Sequence, residues 1–414
     1  MKILWVKAGG LVPPDSGGKI RSYHILRQLA RHHAVTLFSF HDIKVDPAQC
    51  ALGNIFNRVV CVPLALPQKR SWAELARYAA AFFSREPYSL VKYCRPQVQK
   101  KLADLLRRET YDVLVCDFLM AAGVIPWEAP IPKVLFAHNV EAAIWRHHCQ
   151  VTRNPLWKAL AWREMRRMER AERLYLRAAD HVLTVSENDR CFFSSFVEPS
   201  KLTVVPTGVD CDYFKPVAAT QGSQREDLPT LVFIGSMDWL PNEDAILYFT
   251  REVLPFVRRE FPEVSLYVVG RNPSRRLHSL AANTDNLEVT GRVADVRPFL
   301  ARASVVVVPL RVGGGTRVKI FEAMAMGKAI VSTSLGAQGL PLQHGENILL
   351  AENPAEFAKA VSLLLRDISQ RDRLGAAALK LVQQNYSWTT AAQVVDSALK
   401  KIVAAHTVAA SAKT

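Results

Sequence analysis

The feature that most constrains this chain is a rhythm of short apolar runs and longer amphipathic stretches that passes through it twice. In the first series residues 1–6, 35–40, 59–63, 112–116, 133–137, 181–185 and 202–205 are apolar runs of strand length. Residues 19–32 place their apolar side chains at helical spacing. The series restarts at residues 231–234, 265–269, 287–290, 305–309 and 329–332, with helical patterns at 245–257 and 321–326. Strands that alternate with helices form a parallel sheet covered on both faces. The expected fold class is therefore α/β, with two Rossmann-like doubly wound parallel-sheet domains. Residues 216–229 are polar and patternless and read as the linker between them. The expected boundaries are 1–208, a hinge at 209–230, and 231–386. Ligands of such sheets lie at the carboxyl ends of the strands, so the two halves are expected to face a shared cleft.

Composition narrows the class. The 414 residues suit two or three domains, and 49% apolar with 22% charged residues is ordinary for a globular protein. A net charge of +15 fits nucleic acid, an anionic membrane surface or phosphorylated substrates. No RRM, KH, helix-turn-helix or zinc-finger pattern supports nucleic acid as a partner. The cysteines, at 50, 61, 94, 116, 149, 191 and 211, are odd in number and form no CxxC, against a disulfide framework or a zinc site. The opening MKILWVKAGG has an apolar run too short for a secretion signal, and no apolar stretch is long enough to span a bilayer. A cytoplasmic protein is expected, with membrane contact only peripheral and at the inner face.

The strongest chemical signal is VGGGTRVKIFEAMAMG at residues 312–327, which follows the apolar run VVVVPL. Gly313, Gly314 and Gly315 permit a tight turn and close ligand approach, Thr316 is a candidate N-cap, and Gly327 a C-cap. A glycine-preceded helix N-terminus is an anion site. Arg317 and Lys319 put two cations where the helix dipole disfavours them, a conflict that a bound pyrophosphate would resolve. Glu322 shares a face with Lys319 and could accept from a vicinal diol such as a ribose. A glycine turn with a solvated basic helix end explains the same spacing.

Other features are less specific. Asp210, Cys211 and Asp212 spell a DxD metal pattern, but three-residue matches are common by chance. The adjacent His147 and His148 lack a helical partner and read as surface. Residues 151–177 carry eight basic and three acidic residues, with Trp157, Leu160, Met168 and Leu174 near one face. That stretch is either an interfacial helix on anionic lipid or a helix packed on the first sheet. Asp15 and Arg21 flank a glycine loop and could touch an acceptor.

The run GGGTRVKIFEAMAMGKAIVSTSLGAQG closely resembles the nucleotide-sugar site of the family 4 glycosyltransferases, which have the GT-B fold. ADHVLTVSENDRCFF, VVPTGVDCDYFKP and NYSWTTAA are similar to that family's last first-domain strand, its domain junction and the C-terminal helix that crosses back onto the first domain, here about 387–406. The GSMDWLPNEDA start of the second half resembles sugar transferases of bacterial exopolysaccharide and cell-surface polysaccharide pathways.

The resemblance implies a nucleotide-sugar donor and a saccharide or lipid-linked acceptor, retention at the anomeric carbon without a protein nucleophile, and no metal or other cofactor. It implies that Glu322 binds the donor ribose, and that Arg317 and Lys319, with the Gly315 and Thr316 amides, hold the diphosphate. Gly17 and Gly18 would let phosphates and acceptor approach the backbone. His138, in FAHNVE, matches an active-site histidine near the donor sugar, and Gly291, Arg292 and Val293 would border the base. Two departures stand out. Gly314 occupies the position of a Glu that commonly contacts the sugar, and Met237 and Asp238 stand where an Arg and a Lys are common. Two further readings stay open: a nucleotide-sugar epimerase on the same architecture, and a degenerate nucleotide-binding partner subunit, which Gly314 in place of Glu keeps in view.

Overall fold

Strand β1 (Lys2–Ala8) shows how the first sheet is made. Successive side chains of a strand point to opposite faces. Ile3 and Trp5 enter one core with Val113 and Val115, while Leu4 and Val6 enter a second core with Leu114 and Cys116. Each such fully buried side chain contributes roughly 1.5–3 kcal/mol. The partners of β1 are β2 (Ala34–His41) and β4 (Val113–Asp117), both parallel. With β3 (Arg58–Pro63), β5 (Lys133–Phe136), β6 (His181–Thr184) and β7 (Leu202–Val204), they form a seven-stranded sheet of order β3-β2-β1-β4-β5-β6-β7.

The second sheet has six strands in the order β10-β9-β8-β11-β12-β13: β8 (Thr230–Ile234), β9 (Ser265–Val269), β10 (Leu287–Gly291), β11 (Val305–Val308), β12 (Ile330–Ser332) and the short β13 (Leu349–Leu350). β11 is VVVV with all four residues buried, as a central parallel strand requires. In both sheets strand order reverses beside the first strand, between β1 and β4 and between β8 and β11. These are the switch points where doubly wound sheets hold ligands.

This computed structural model describes residues 1–14, 16–42, 51–67, 71–152, 154–216, 228–237, 239–312 and 318–411. They divide into Met1–Pro206 with Trp388–Thr414, and Thr207–Ser387. The helix Trp388–Ser411 belongs to the first unit. Trp388 stacks on His24 at 5.1 Å, Asp396 pairs with His33 at 2.7 Å, and Val395 and Leu399 are fully buried.

Three local expectations need correction. Gly17 and Gly18 are not loop residues; they open the helix Gly17–Leu29, which starts where Ser16 supplies an extended backbone. The helix expected at 245–257 begins at Leu240, with Pro241 in its first turn, where no N–H is needed. It then passes through a π-helical turn, Phe249–Val253, into Leu254–Arg258. Pro255 has no N–H to give the preceding turn, and the wider turn takes up the mismatch. In the basic helix Pro155–Ala178 the inward residues are Ala161, Glu164, Met168, Ala171, Glu172 and Leu176. Trp157 and Leu174, expected on Met168's face, are more than half exposed.

Candidate active site

At the switch point of the first sheet, parallel register sets Lys7 of β1 beside Asp117 of β4. Lys7 Nζ donates to Asp117 Oδ2 at 2.9 Å and to Ser22 Oγ at 3.3 Å, and Trp5 Nε1 donates to Asp117 Oδ2 at 3.0 Å. His138, two residues beyond β5, places Nε2 2.7 Å from Asp117 Oδ1 and Nδ1 3.4 Å from an Arg21 nitrogen. Lys7, Arg21, Asp117 and His138 are each at most 4% exposed.

Burial alone would raise the Asp117 carboxyl. The Lys7 and His138 charges, with hydrogen bonds from His138 and Trp5, hold it well below the usual carboxylate range. Burial lowers His138 to about 4 against the opposing pull of Asp117, with Arg21 and Lys7 adding to the fall. The ring is therefore neutral at pH 7. Its Nε2–H donates to Asp117, which leaves Nδ1 as the acceptor facing Arg21. Burial also lowers Arg21, to about 10, opposed by Asp189 and Asp117.

The ring is covered on one side by Phe118, stacked at 3.8 Å and 6°, with Phe136 tilted against it at 4.3 Å. Phe118 holds a positive φ of 69°, uncommon for a bulky residue. Gly18 explains part of this arrangement: a Cβ there would lie 2.2 Å from the Phe118 ring. His138 is thus a satisfied, sealed histidine in this conformation. Behind it, Glu172 Oε1 accepts from the Ala142 amide at 3.2 Å and so caps the helix Glu141–Val151 from another element. Burial pushes Glu172 up to about 8 against those backbone bonds, and Glu141 up to about 7.

At the switch point of the second sheet, the helix Val318–Ala325 follows β11. Lys319 Nζ donates to Asn242 Oδ1 at 2.8 Å and lies 4.1 Å over the Phe233 ring. Asn242 Nδ2 donates to the Ser236 carbonyl at 2.8 Å, and Arg271, just past β9, donates through Nε to Ser236 Oγ at 2.8 Å. Glycines are required here. A Cβ on Gly235 would lie 2.7 Å from Asn242 and 3.0 Å from Lys319 Nζ, and one on Gly270 would lie 1.7 Å from the Gly235 carbonyl. Burial pushes Glu322 up to about 7, opposed by Lys319 one helical turn earlier.

Gly291, with φ of +69°, ends the edge strand β10, and Arg292 and Val293 follow it. From β10 to β11 there are three strand spacings, about 14–15 Å. Gly314, Gly315, Thr316 and Arg317, like Asp15 and Asp238, lie outside the described residues. Asp210 Oδ1 accepts from the Asp212 and Tyr213 amides and closes a turn. Among the described residues no cluster of His, Cys, Asp or Glu could hold a metal ion.

Sequence reasoning missed Arg271 and Asn242. It marked the first strand loop of this half as lacking cations, yet Arg271 reaches that loop from the neighbouring strand. A lone Arg after an apolar run gives no spacing signal. Asn242 sits inside GSMDWLPNED, where a single uncharged amide gives no spacing signal.

Two family models match the chain. One, described as Glycosyltransferase Family 4, covers residues 16–213, and one described as Glycosyl transferases group 1 covers residues 228–367. A GDP-mannose-dependent alpha-(1-6)-phosphatidylinositol monomannoside mannosyltransferase of Mycobacterium tuberculosis is 28% identical over 238 residues, 52% of this chain and 61% of the relative. An uncharacterized 44.6 kDa protein in the cps region of Klebsiella pneumoniae is 23% identical over 163 residues, 38% of this chain and 42% of the relative. The chain thus spans about half the length of the curated relatives it matches. Sucrose-phosphate synthase from Thermosynechococcus elongatus superposes with a TM-score of 0.73 at 17% identity, over 98% of this chain and 99% of that one, which shows the fold alone. With a Glycosyltransferase Family 4 model on its first half, a Glycosyl transferases group 1 model on its second, and two doubly wound parallel sheets, the chain carries two glycosyltransferase domains and has the GT-B fold.

Proposed function

We propose that the protein transfers a hexosyl unit from a nucleoside-diphosphate sugar to a saccharide or lipid-linked acceptor, with retention, in cell-surface polysaccharide biosynthesis on the cytoplasmic face of the membrane. The observation that carries this reading is the cluster at the second switch point, where Lys319, Asn242, Arg271 and Glu322 gather at glycine-lined strand ends. The relatives' names support the setting: one is GDP-mannose-dependent and named for a phosphatidylinositol monomannoside, and one lies in a cps region.

In this reading Glu322 accepts from the donor ribose, and Gly291, Arg292 and Val293 border the base. Charge that develops on the departing diphosphate is met by Lys319 and Arg271, and by Gly314, Gly315, Thr316 and Arg317 as the family resemblance implies. Donors fixed in advance at the position of developing charge stabilise the transition state without reorganising. Arg271 takes the place of the cations that Met237 and Asp238 do not supply. His138 forms a floor that a sugar meets only after Phe118 turns aside, and Gly17 and Gly18 let the donor phosphates and acceptor approach the backbone. No metal takes part.

A panel of nucleotide sugars, read by thermal stabilisation, tests the donor, since a ligand that binds the folded state raises its apparent stability. Transfer with the selected donor follows, with and without EDTA. Stabilisation without transfer to any acceptor would favour the degenerate-subunit reading, and conversion of donor alone would favour an epimerase. Loss of activity in EDTA would overturn the metal-free reading.

A further inference from the structure

The helix Trp72–Ala80 is amphipathic, yet not one of its nine residues is buried. Trp72 is 85% exposed, and Phe83, on the following turn, is 91% exposed. The helix is held by a polar latch instead of apolar burial. Tyr78 Oη donates to the fully buried Glu164 at 3.0 Å. Arg163 donates to Tyr78 Oη at 3.2 Å and lies 3.9 Å over the Phe82 ring, and Arg167 donates to the Phe82 carbonyl at 2.7 Å. The latch sets this element against the basic helix Pro155–Ala178, whose first half adds Leu156, Trp157 at 63% and Trp162 at 58% exposure. Three of the chain's eight tryptophans are thus more than half exposed on two elements joined by one latch.

Soluble proteins rarely leave such clustered aromatic surface in water, and tryptophan favours the boundary between an apolar phase and water. The charge around it is one-sided. Lys158, Arg166 and Arg170 are exposed, whereas Glu164 and Glu172 are buried; Glu169, the helix's remaining acid, is partly buried and pairs with Arg146 at 2.9 Å and Arg166 at 3.7 Å, which leaves the face net basic. Bulky aromatics beside a basic face match an anionic bilayer surface, where rings enter the headgroup boundary and cations meet lipid phosphates. A second copy of this chain would bring like charges together. Among the described residues no helix is long and apolar enough to cross a membrane.

We propose that Trp72, Leu75 and Phe83, with Leu156, Trp157 and Trp162, form a face that docks the first unit on an anionic lipid bilayer. It gives the membrane contact a place in the fold, and it rests on the reading of a lipid-linked acceptor for its purpose alone.

The full chain is floated with vesicles of phosphatidylcholine, and of phosphatidylcholine mixed with phosphatidylglycerol, without any sugar donor. Wild type should bind the anionic vesicles with a blue shift of tryptophan emission, and added salt should weaken binding. Trp72→Ala with Phe83→Ala should lower vesicle affinity about tenfold or more with unchanged melting temperature and unchanged stabilisation by donor. Arg166→Glu with Arg170→Glu should remove the preference for phosphatidylglycerol. Failure to bind anionic vesicles, or binding indifferent to the Trp72 and Phe83 changes, would overturn the proposal. Concentration-dependent self-association abolished by Trp72→Ala would also overturn it and assign the face to a second copy. Because vesicle binding needs no turnover, its failure is separable from failure of the transfer reading.

Discussion

The two switch points are built from similar residues and end in opposite conditions. At the first, Lys7, Arg21, Asp117 and His138 are sealed, and their charges are met within the protein. At the second, Lys319, Arg271 and Glu322 remain partly exposed, Lys319 and Arg271 donate to an amide and a hydroxyl oxygen, and the Glu322 carboxyl sits near neutrality. A buried ion pair costs desolvation that only good geometry offsets, so the first arrangement fixes structure. The second leaves polar groups where a ligand can still replace their partners. Similar chemistry at equivalent topological positions therefore separates into a structural centre and a binding surface according to burial.

Lys7→Met tests the structural side most strongly. It strands Asp117 in an apolar setting, and urea denaturation should show a loss of roughly 3–5 kcal/mol. Near-wild-type stability would break the comparison. On the binding side, Lys319→Ala and Glu322→Ala should each lower donor turnover at least about tenfold, close to 1.4 kcal/mol of transition-state stabilisation, with stability little changed. Equal damage to folding from these variants would erase the distinction.

Response to pH should separate the regions further. Glu322 near 7 implies that donor affinity rises roughly tenfold from pH 6 to pH 8, as the carboxylate that accepts from a diol forms. Glu322→Gln should flatten that rise in a binding titration. In the first unit the response is in stability. His138 is lowered from 6.5 to about 4, so its contribution is present above 6.5 and lost as pH falls through about 4. Glu172 is raised from 4.5 to about 8, so its contribution is complete below 4.5 and lost as pH rises through about 8. Melting temperatures across pH 4 to 9 should form a dome, and Glu172→Gln should level its alkaline limb. The smallest expected effect is that of Phe118→Ala, which uncovers His138 and leaves the positive φ at this position in place. It should move the Michaelis constant for acceptor or donor more than it moves stability.

The strands were readable because buried parallel strands are continuous apolar runs, and VVVV at β11 admits little else. The helix at Lys319 and Glu322 was readable because glycines, cations and a carboxylate recur there at one spacing. What stayed hidden depends on contacts between distant residues. Glu172 caps a helix 30 positions earlier, Arg271 reaches across from an adjacent strand, and the Phe118 ring lies on His138 in room that Gly18 leaves by having no Cβ. Trp72–Ala80 escaped because its apolar side chains mark no core, and core burial is what periodicity detects.

The return of the helix Trp388–Ser411 to the first unit has a consequence for synthesis. Trp388, Val395 and Leu399 share a core with Ile3 and Trp5, so the earliest strand waits, as the chain leaves the ribosome, for residues made almost four hundred codons later. Until then that face of the nascent sheet is uncovered, and the intervening unit must be translated with its neighbour still incomplete. A ribosome-arrested chain cut before Trp388 should expose this surface to chaperones or protease.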